Sequence, residues 1–338
     1  MEQIGFFLNA SRETSDEDLI ALAKQADNLG YHSFWTGESW GRDAFTVLTM
    51  VACHTENLRL GTGIVTTYSR TPALIAQTIA SLDILSNGRA ILGLGSSGKV
   101  VVEGWHGVPF DSPLARTREY IEIIRKALSG SRVDHQGKFY QMERFRMISP
   151  PVQKNLPIYI ASLGQKNLEL AGEHADGCLP VWVNRERFPE LRERIGIGTA
   201  KSGRSASEVT IAPYIFCYTA DGPEDLAHGE QLLRAHLAYY VGGMGTFYFD
   251  SVSRAGFGAE AQAIKEAWAT GNREQAAGSV SDRMLQSIVV LGDAQQCRDQ
   301  ISGFRKSGAD LPIVNFPHGT DLTVINRTMT ALAPQAGI

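Results

Sequence analysis

Short apolar runs alternate with amphipathic stretches along this chain, and the alternation limits the possible folds more than any other feature. In the first half the apolar runs lie at 5–9, 32–37, 58–66 and 90–95. The stretches with helical spacing lie at 15–30, 44–55 and 72–85, with a further helix from near Ser112. Ser15 and Pro72 suit helix starts, and Gly30 suits a helix end. Four such units in about 130 residues indicate parallel strands joined by crossover helices.

The second half repeats the pattern and completes a set of eight predicted strands. Its strands are predicted at 157–162, 177–183, 209–218 and 311–316, and its helices at 167–174, 189–201 and 321–332. Eight parallel strands in 338 residues favour a (β/α)8 TIM barrel in the α/β class. An open, doubly wound sheet is the alternative. We expect one domain over residues 1–338.

Two stretches do not fit the simple repeat. Residues 131–152 are short, polar and aromatic, which predicts a hairpin or extended excursion before the fifth strand. Residues 220–290 are mainly helical in pattern, and we interpret them as an insertion between strands 7 and 8. Their glycine-rich segment 239–245 is predicted to form a tight loop.

Charge and cysteine spacing exclude several classes of protein. Lys and Arg number 32 and Asp and Glu 36, a formal net charge of −4 that argues against nucleic-acid binding. The four cysteines form no CxxC pair, so we expect neither a disulfide framework nor a zinc knuckle. No signal-peptide pattern opens the sequence, and no apolar run approaches the roughly 18 residues of a membrane span. We therefore expect a cytoplasmic protein without a membrane partner.

The carboxyl ends of the predicted strands should form the active site, as they do in parallel barrels. These ends are Asn9, 38–40, 62–67, 95–98, 162–166, Trp182, 214–218 and 315–318. Most of them are glycine, hydroxyl, aromatic or amide residues, which suit a flat apolar ring with hydrogen-bonding edges. Histidines and carboxylates do not cluster there, so we expect no metal site.

A G-x-G-x-x-G pattern occupies residues 93–98 after a predicted strand. Dinucleotide binding requires a helix that opens at the last glycine. Residues 99–102 are Lys-Val-Val-Val, and we predict no helix before Ser112. We interpret these glycines as positions where a ligand ring can approach the backbone.

Residues 161–167 link a predicted strand to a helix N-terminus and form a candidate anion site. Free N–H groups, Ser162 and Lys166 could hold one phosphate of a cofactor. An ordinary capped helix is the alternative.

Four residues are candidates for acid–base chemistry: Glu38, Asp43, Glu103 and His106. Glu38 and Asp43 could instead cap the following helix, and His106 could be an ordinary loop histidine. Neither a G-x-S-x-G elbow nor a complete phosphate-binding G-x-x-x-x-G-K-[ST] loop occurs, which argues against hydrolases and kinases.

Several segments resemble the bacterial luciferase-like superfamily of flavin and deazaflavin enzymes. The likeness is carried by LGTGIV at 60–65, RTP at 70–72 and TIASLDILSNGRAILGLG at 78–95. SSG at 96–98, VVEGWHGVPF at 101–110, PLARTREY at 113–120 and YVGGMG at 240–245 resemble the branch that uses coenzyme F420. That branch includes methylenetetrahydromethanopterin reductase, and the resemblance covers essentially the whole chain.

The resemblance implies a (β/α)8 barrel with an insertion before the last strand, and a cis peptide at Gly63–Ile64 pressed against the coenzyme ring. It implies that the ring is lined by Glu38, Thr62, Gly63, Ile64, Gly95, Ser96 and Ser97. It implies that the phosphate is held by Ser162, Leu163, Gly164, Gln165 and Lys166. Some relatives carry a catalytic His after the strand-two acid, where this chain has Ser39. The proton donor is therefore left open among Glu38, Glu103, His106 and a bound water.

The function implied by the resemblance is an F420-dependent oxidoreductase. It would transfer a hydride between the deazaflavin and a C=C or C=N bond of a small organic substrate. The alternatives are an FMN-dependent luciferase-like monooxygenase and a non-catalytic flavin-binding barrel. Relatives are dimers or tetramers, so a homo-oligomer is expected by analogy.

Overall fold

The fold is a curled parallel sheet surrounded by helices, described here by a computed structural model for residues 2–9 and 14–334. The strands are β1 Gly5–Phe7, β2 Ser33–Thr36, β3 Arg59–Thr62, β4 Val65–Thr66, β5 Ala90–Gly95, β6 Val133–Gln136, β7 Gln141–Phe145, β8 Ile158–Ile160, β9 Gly177–Cys178, β10 Thr210–Ile211, β11 Tyr214–Thr219, β12 Val290–Gly292 and β13 Ile313–Asn315. The helices are α1 Asp16–Asn28, α2 Ala44–Ala52, α3 Pro72–Leu85, α4 Lys99–Gly104, α5 Pro113–Leu128, α6 Gln165–His174, α7 Phe188–Lys201, α8 Pro223–Gly243, α9 Thr246–Val252, α10 Gly258–Ala269, α11 Arg273–Gly278, α12 Asp282–Ile288, α13 Ala294–Ser307 and α14 Leu322–Ala331.

The parallel sheet closes on itself. β1 pairs with β2 on one side and with β13 on the other, and the sheet continues through β3, β5, β8 and β9. β9 pairs with β10, a parallel bridge joins Val181 to Tyr214, and β11 pairs with β13. The predicted TIM barrel is thereby confirmed over the open sheet.

Two predicted strands are each divided in two. The third is interrupted between β3 and β4 at Gly63–Ile64, whose peptide bond is cis, as the resemblance implies. The seventh is interrupted between β10 and β11 at Pro213, which has no N–H to donate to a neighbouring strand. Sequence analysis missed β12, three residues that pair in parallel with Cys217, Tyr218 and Thr219 of β11.

The stretch before the fifth barrel strand is the predicted hairpin. β6 and β7 pair in antiparallel fashion, with His135 opposite Met142. None of the helices in the described ranges is long and apolar enough to cross a membrane.

Helices α8 to α12 lie between β11 and β12 and pack around their own apolar cluster. That cluster includes Leu237, Phe257 and Met284 and extends onto Trp182 and Phe216 of the barrel. The predicted tight loop at 239–245 was wrong, because α8 continues to Gly243. A Cβ atom at Gly242 would lie 2.6 Å from the Trp268 ring, so this glycine serves close helix packing.

Close backbone packing also fixes α6 against α7. A Cβ atom at Gly198 of α7 would lie 1.9 Å from the Glu169 carbonyl oxygen, and one at Gly172 of α6 would lie 2.2 Å from the Ile195 carbonyl oxygen. These two glycines let the helix backbones touch, and the contact orients α6, whose N-terminus faces the carboxyl end of β8.

We predict opposite effects for alanine at two glycines of α7. Gly198→Ala should lower the free energy of unfolding by about 2–3 kcal/mol, because the added carbon has only backbone to displace. Gly196→Ala should raise it by about 0.5–1 kcal/mol, because the nearest atom lies at 3.8 Å and alanine favours the helix. Urea denaturation of both variants checks this. Equal effects would contradict the proposed close contact.

Candidate active site

A cavity opens at the carboxyl ends of the barrel strands and is covered by α8 and α9. From the barrel it is lined by Phe7, Asn9, Gly63, Ile64, Ala161, Leu179, Val181, Tyr214, Phe216, Asn315, Phe316 and His318. From the covering helices it is lined by His236, Tyr240 and Tyr248. No Asp, Glu, Lys or Arg belongs to this lining among the residues that the structure describes. The site is therefore aromatic, with neutral hydrogen-bonding groups.

Ring contacts fix the covering side of the cavity. Trp182 stacks on Phe216 with ring centres 4.1 Å apart, and His236 packs on Phe216 at 4.7 Å. His236 and Tyr240 lie one turn apart on α8 with ring centres 5.2 Å apart, and Tyr240 meets Tyr248 of α9 edge-on at 4.7 Å. Such mutual packing leaves each ring little rotational freedom.

Tyr214 supplies a buried hydroxyl to the cavity. Its ring packs edge-on against Phe7 at 5.1 Å, and a Cβ atom at Gly63 would lie 2.3 Å from its oxygen. Burial raises the pKa of Tyr214 well above its usual value, so the group is a neutral phenol. Its oxygen has no hydrogen-bond partner among the described residues. Buried polar groups are nearly always paired, so this hydroxyl is available to a ligand.

His236 is held as a neutral hydrogen-bond donor. The backbone N–H of His318 donates to His236 Nδ1 at 3.3 Å, so the ring hydrogen of the neutral form is on Nε2. The side chain is 5% exposed. Burial and the neighbouring His318 lower the pKa of His236 to about 3.

Thr62 and two glycines of the G-x-G-x-x-G pattern serve the barrel wall. The Thr62 hydroxyl donates to the Gly93 carbonyl and accepts from the Gly93 N–H, both at 2.8 Å. A Cβ atom at Gly93 would lie 1.9 Å from the Thr62 carbonyl oxygen, and one at Gly95 would lie 2.9 Å from the Ile64 side chain. For Gly93 the interpretation as a point of ligand approach was wrong, since backbone atoms already fill the space, whereas Gly95 stays a predicted ring-lining residue.

The expectation that no helix follows Gly98 was also wrong. α4 begins directly after this glycine, with Val101 and Val102 buried. Burial of these valines outweighs their modest helix propensity. Ser96 and Ser97 lie between β5 and α4, half-buried, and the Ser96 hydroxyl donates to the Ser97 carbonyl at 3.2 Å.

Glu38 is anchored at the rim by Arg70. Arg70 donates from both terminal nitrogens to the Glu38 carboxylate, at 2.7 and 3.0 Å, and also to Asp43. Glu38 accepts from the Ala44 N–H at 3.2 Å, and its own N–H donates to the Ile64 carbonyl at 3.2 Å. Glu38 therefore connects the end of β2 to the first residue of α2 through its carboxylate, and to the cis peptide through its backbone N–H.

Asp43 caps α2, accepting from the Thr46 N–H at 2.7 Å. Burial alone would raise the pKa of Asp43, but the Thr46 hydrogen bonds and Arg70 lower it below its usual value. Asp43 is therefore the N-cap of α2, and Glu38 accepts from the first N–H of the same helix.

Glu103 and His106 lie in the segment that follows β5 and do not line the cavity. The Glu103 side chain is 43% exposed, pairs with Lys99 at 3.7 Å and accepts from the Phe110 N–H at 3.2 Å. The structure thus places Glu38 beside Ile64, but Glu38, Glu103 and His106 all lie outside the cavity lining.

The candidate anion site lies at the N-terminus of α6. Gly164 is the N-cap, and no side chain in the described part of the chain caps the helix. The buried Ser162 hydroxyl donates to the Ile160 carbonyl at 3.2 Å, Lys166 pairs with Glu169 at 3.1 Å, and Gln165 reaches Glu190 at 3.5 Å. The uncapped N–H groups of this helix are free to meet an anion.

Sequence analysis missed a basic group at this helix end and six residues of the cavity: Phe7, Leu179 and Val181 of the barrel, and His236, Tyr240 and Tyr248 of the covering helices. Arg254 donates to the Leu163 carbonyl at 3.3 Å. His236, Tyr240 and Tyr248 come from the helices after β11, and only the four-residue spacing of His236 and Tyr240 marks a shared helix face. Within the described ranges, no group of three or more His, Cys, Asp or Glu residues could hold a metal ion.

Comparison with known proteins identifies relatives along nearly the whole chain. The sequence model of the luciferase-like monooxygenase family matches residues 4–311. A Mycobacterium tuberculosis protein provisionally named a coenzyme F420-dependent oxidoreductase is 32% identical over 330 residues, covering 92% of this chain and 93% of that protein. The 5,10-methylenetetrahydromethanopterin reductase of Methanolobus tindarius is 31% identical over 300 residues, covering 88% and 89%.

A solved structure gives the same result. The coenzyme F420-dependent tetrahydromethanopterin reductase of Methanopyrus kandleri matches with a TM-score of 0.82 at 26% identity, covering 98% of both chains. The resemblance stated from the sequence motifs is confirmed.

We predict that the Glu38–Arg70 pair stabilises the rim. Glu38→Gln should lower the free energy of unfolding by about 1–3 kcal/mol, because it breaks a largely buried, charge-assisted contact. Glu103→Gln removes the same charge from an exposed pair and should cost less than about 0.5 kcal/mol. Urea denaturation measures both. A Glu38→Gln variant as stable as the Glu103→Gln control would show that the rim does not depend on this pair.

Proposed function

The chain belongs to the luciferase-like monooxygenase family, and from this premise we propose that it is a coenzyme F420-dependent oxidoreductase. The reaction is hydride transfer between the deazaflavin and a C=C or C=N bond of a small organic substrate. The relatives named for F420 that align with about nine-tenths of the chain support the choice of coenzyme. We further propose a single-domain cytoplasmic protein that acts as a homo-oligomer, a dimer or tetramer, on a small molecule.

The observation that carries the proposal is the uncharged aromatic cavity beside the cis Gly63–Ile64 peptide. A flat heterocycle needs apolar walls with a few hydrogen-bonding groups, and the cavity offers these. The unpartnered Tyr214 hydroxyl is the kind of buried group that a bound heterocycle would satisfy. The residues present therefore fit the coenzyme ring.

The α6 N-terminus fits the anionic tail of the coenzyme. Its uncapped N–H groups carry the positive end of the helix dipole, and Arg254 and Lys166 add positive charge nearby. Local basic groups suffice for this contact, so the net charge of −4 does not oppose it.

The bound coenzyme would supply the hydride chemistry, and the protein would supply position and electrostatics. Glu38, with its backbone bonded to Ile64, is the proposed acid–base residue nearest the ring, and Arg70 holds it in place. Glu103 of α4 and His106, two residues after that helix, stay alternative candidates outside the cavity lining. The apolar walls exclude water from the reacting atoms.

A titration of the purified protein with F420 and with FMN tests the proposal. We expect saturable binding of F420, followed by coenzyme fluorescence, with an affinity at least about tenfold higher than for FMN, a difference of about 1.4 kcal/mol. Tighter binding of FMN with oxygen-dependent turnover would establish the monooxygenase alternative. Binding of either ring without turnover of any substrate would favour the non-catalytic barrel.

A negative charge introduced at Gly164 tests whether the anionic tail of the coenzyme lies at the N-terminus of α6. A Cβ atom there meets nothing within 4 Å, so Gly164→Asp should cap α6 and leave the fold at least as stable. Its carboxylate should weaken F420 binding by about tenfold through repulsion of the phosphate.

The matched control is Asn272→Asp, which adds the same charge at the N-cap of α11, outside the cavity lining. It should leave F420 affinity unchanged. If the two variants bound F420 with equal affinity, the coenzyme phosphate would not lie at the N-terminus of α6. The proposal that F420 is the coenzyme would be unaffected.

A further inference from the structure

Asn and Tyr side chains and the neutral His236 supply the polar groups inside the cavity, and the exposed His318 lies at its edge. This limits the ligand. Asn9 and Asn315 carry amides, and burial, with a smaller effect from Tyr239, raises the pKa of Tyr240 to about 12. Burial also keeps Tyr214 and Tyr248 in the phenol form by raising their pKa values. An ionised ligand would lose its hydration here without meeting an opposite charge, at a cost of several kcal/mol. The cavity therefore favours an uncharged molecule.

His236 is the polar group whose direction is best fixed. Its ring is held between Phe216 and Tyr240, with Trp182 at 5.6 Å. Nδ1 is occupied by the His318 N–H, while Nε2 makes no hydrogen bond with any described residue. An N–H that lines a cavity and has no partner among the described residues can donate to an acceptor atom on a ligand.

We propose that His236 binds the carbonyl oxygen of the substrate through Nε2–H, and that the substrates are uncharged planar molecules whose C=C bond is conjugated to that carbonyl. This deepens the proposed function and rests on it. An isolated C=C bond cannot accept the hydrogen bond, whereas a conjugated carbonyl can.

The neutral Nε2–H donor of His236 would also assist the reaction itself. When the β-carbon of such a substrate takes up a hydride from the reduced coenzyme, the C=C electron pair shifts toward the carbonyl oxygen. A proton from solvent, relayed by the proposed acid–base residue Glu38, then completes the α-carbon. Negative charge develops on the oxygen during this step, and a preorganised N–H donor stabilises it.

Direct binding without coenzyme tests this inference separately from the proposed function. The probes are cyclohex-2-enone and its charged analogue 3-oxocyclohex-1-ene-1-carboxylate. Quenching of tryptophan fluorescence reports binding, because Trp182 lies in the ring cluster around His236. We expect the neutral enone to bind at least about tenfold more tightly than the carboxylate. Equal or reversed affinities, or no saturable binding of the enone, would overturn the inference.

Two substitutions at His236 separate the donor from the packing. His236→Asn keeps a polar group near Nδ1 for the His318 N–H but lacks a donor toward the cavity. His236→Gln places its amide nitrogen near the Nε2 position. We expect the asparagine variant to bind the enone about tenfold more weakly, the loss of one hydrogen bond, and the glutamine variant to stay within about threefold of the original protein.

Equal losses in the two variants would overturn the role of the Nε2 donor. F420 titrations of both variants are measured separately, since His236 also lines the cavity proposed for the coenzyme ring. If the original protein did not bind F420, the proposed function would be wrong. The enone titrations contain no coenzyme and therefore test the role of His236 independently of that result. Should the asparagine variant not fold, the glutamine variant and the carboxylate comparison still decide the question.

Discussion

Closure of the parallel sheet is the constraint on which the rest of this structure depends. Because β9 joins β10 and β13 joins both β1 and β11, the carboxyl ends of all the barrel strands meet at one mouth. Residues as far apart in the chain as Phe7 and Phe316 thereby line one cavity. Helices α8 and α9 then cover that mouth with aromatic side chains.

Close backbone contacts give the barrel its compact wall. A Cβ atom at Gly61 would lie 2.2 Å from the Trp35 ring, and one at Gly93 would lie still closer to the Thr62 carbonyl. At these two positions there is no room for any side chain larger than the hydrogen atom of glycine. Gly93 shows how a glycine of a motif that suggests ligand binding can instead serve packing.

Much of the fold was predictable because its signals are local. Short apolar runs located the barrel strands, and the polar, aromatic character of residues 131–152 predicted the hairpin of β6 and β7. The residue types at Ser15 and Asp43 marked helix starts that the structure contains. The errors fall where tertiary packing overrides local preference. Gly242 continues α8 because it packs against Trp268, and Val102 is helical because α4 buries it.

The sequence by itself determined the alternating strand–helix architecture and the neutral character of the strand ends, since both follow from residue type and short-range spacing. Only the tertiary structure decided which of those residues face the cavity, that Arg70 holds Glu38, and that His236 presents Nε2 as a donor. The physical reason is separation along the chain. His236 receives its hydrogen bond from a residue 82 positions away, and no local pattern encodes such a contact.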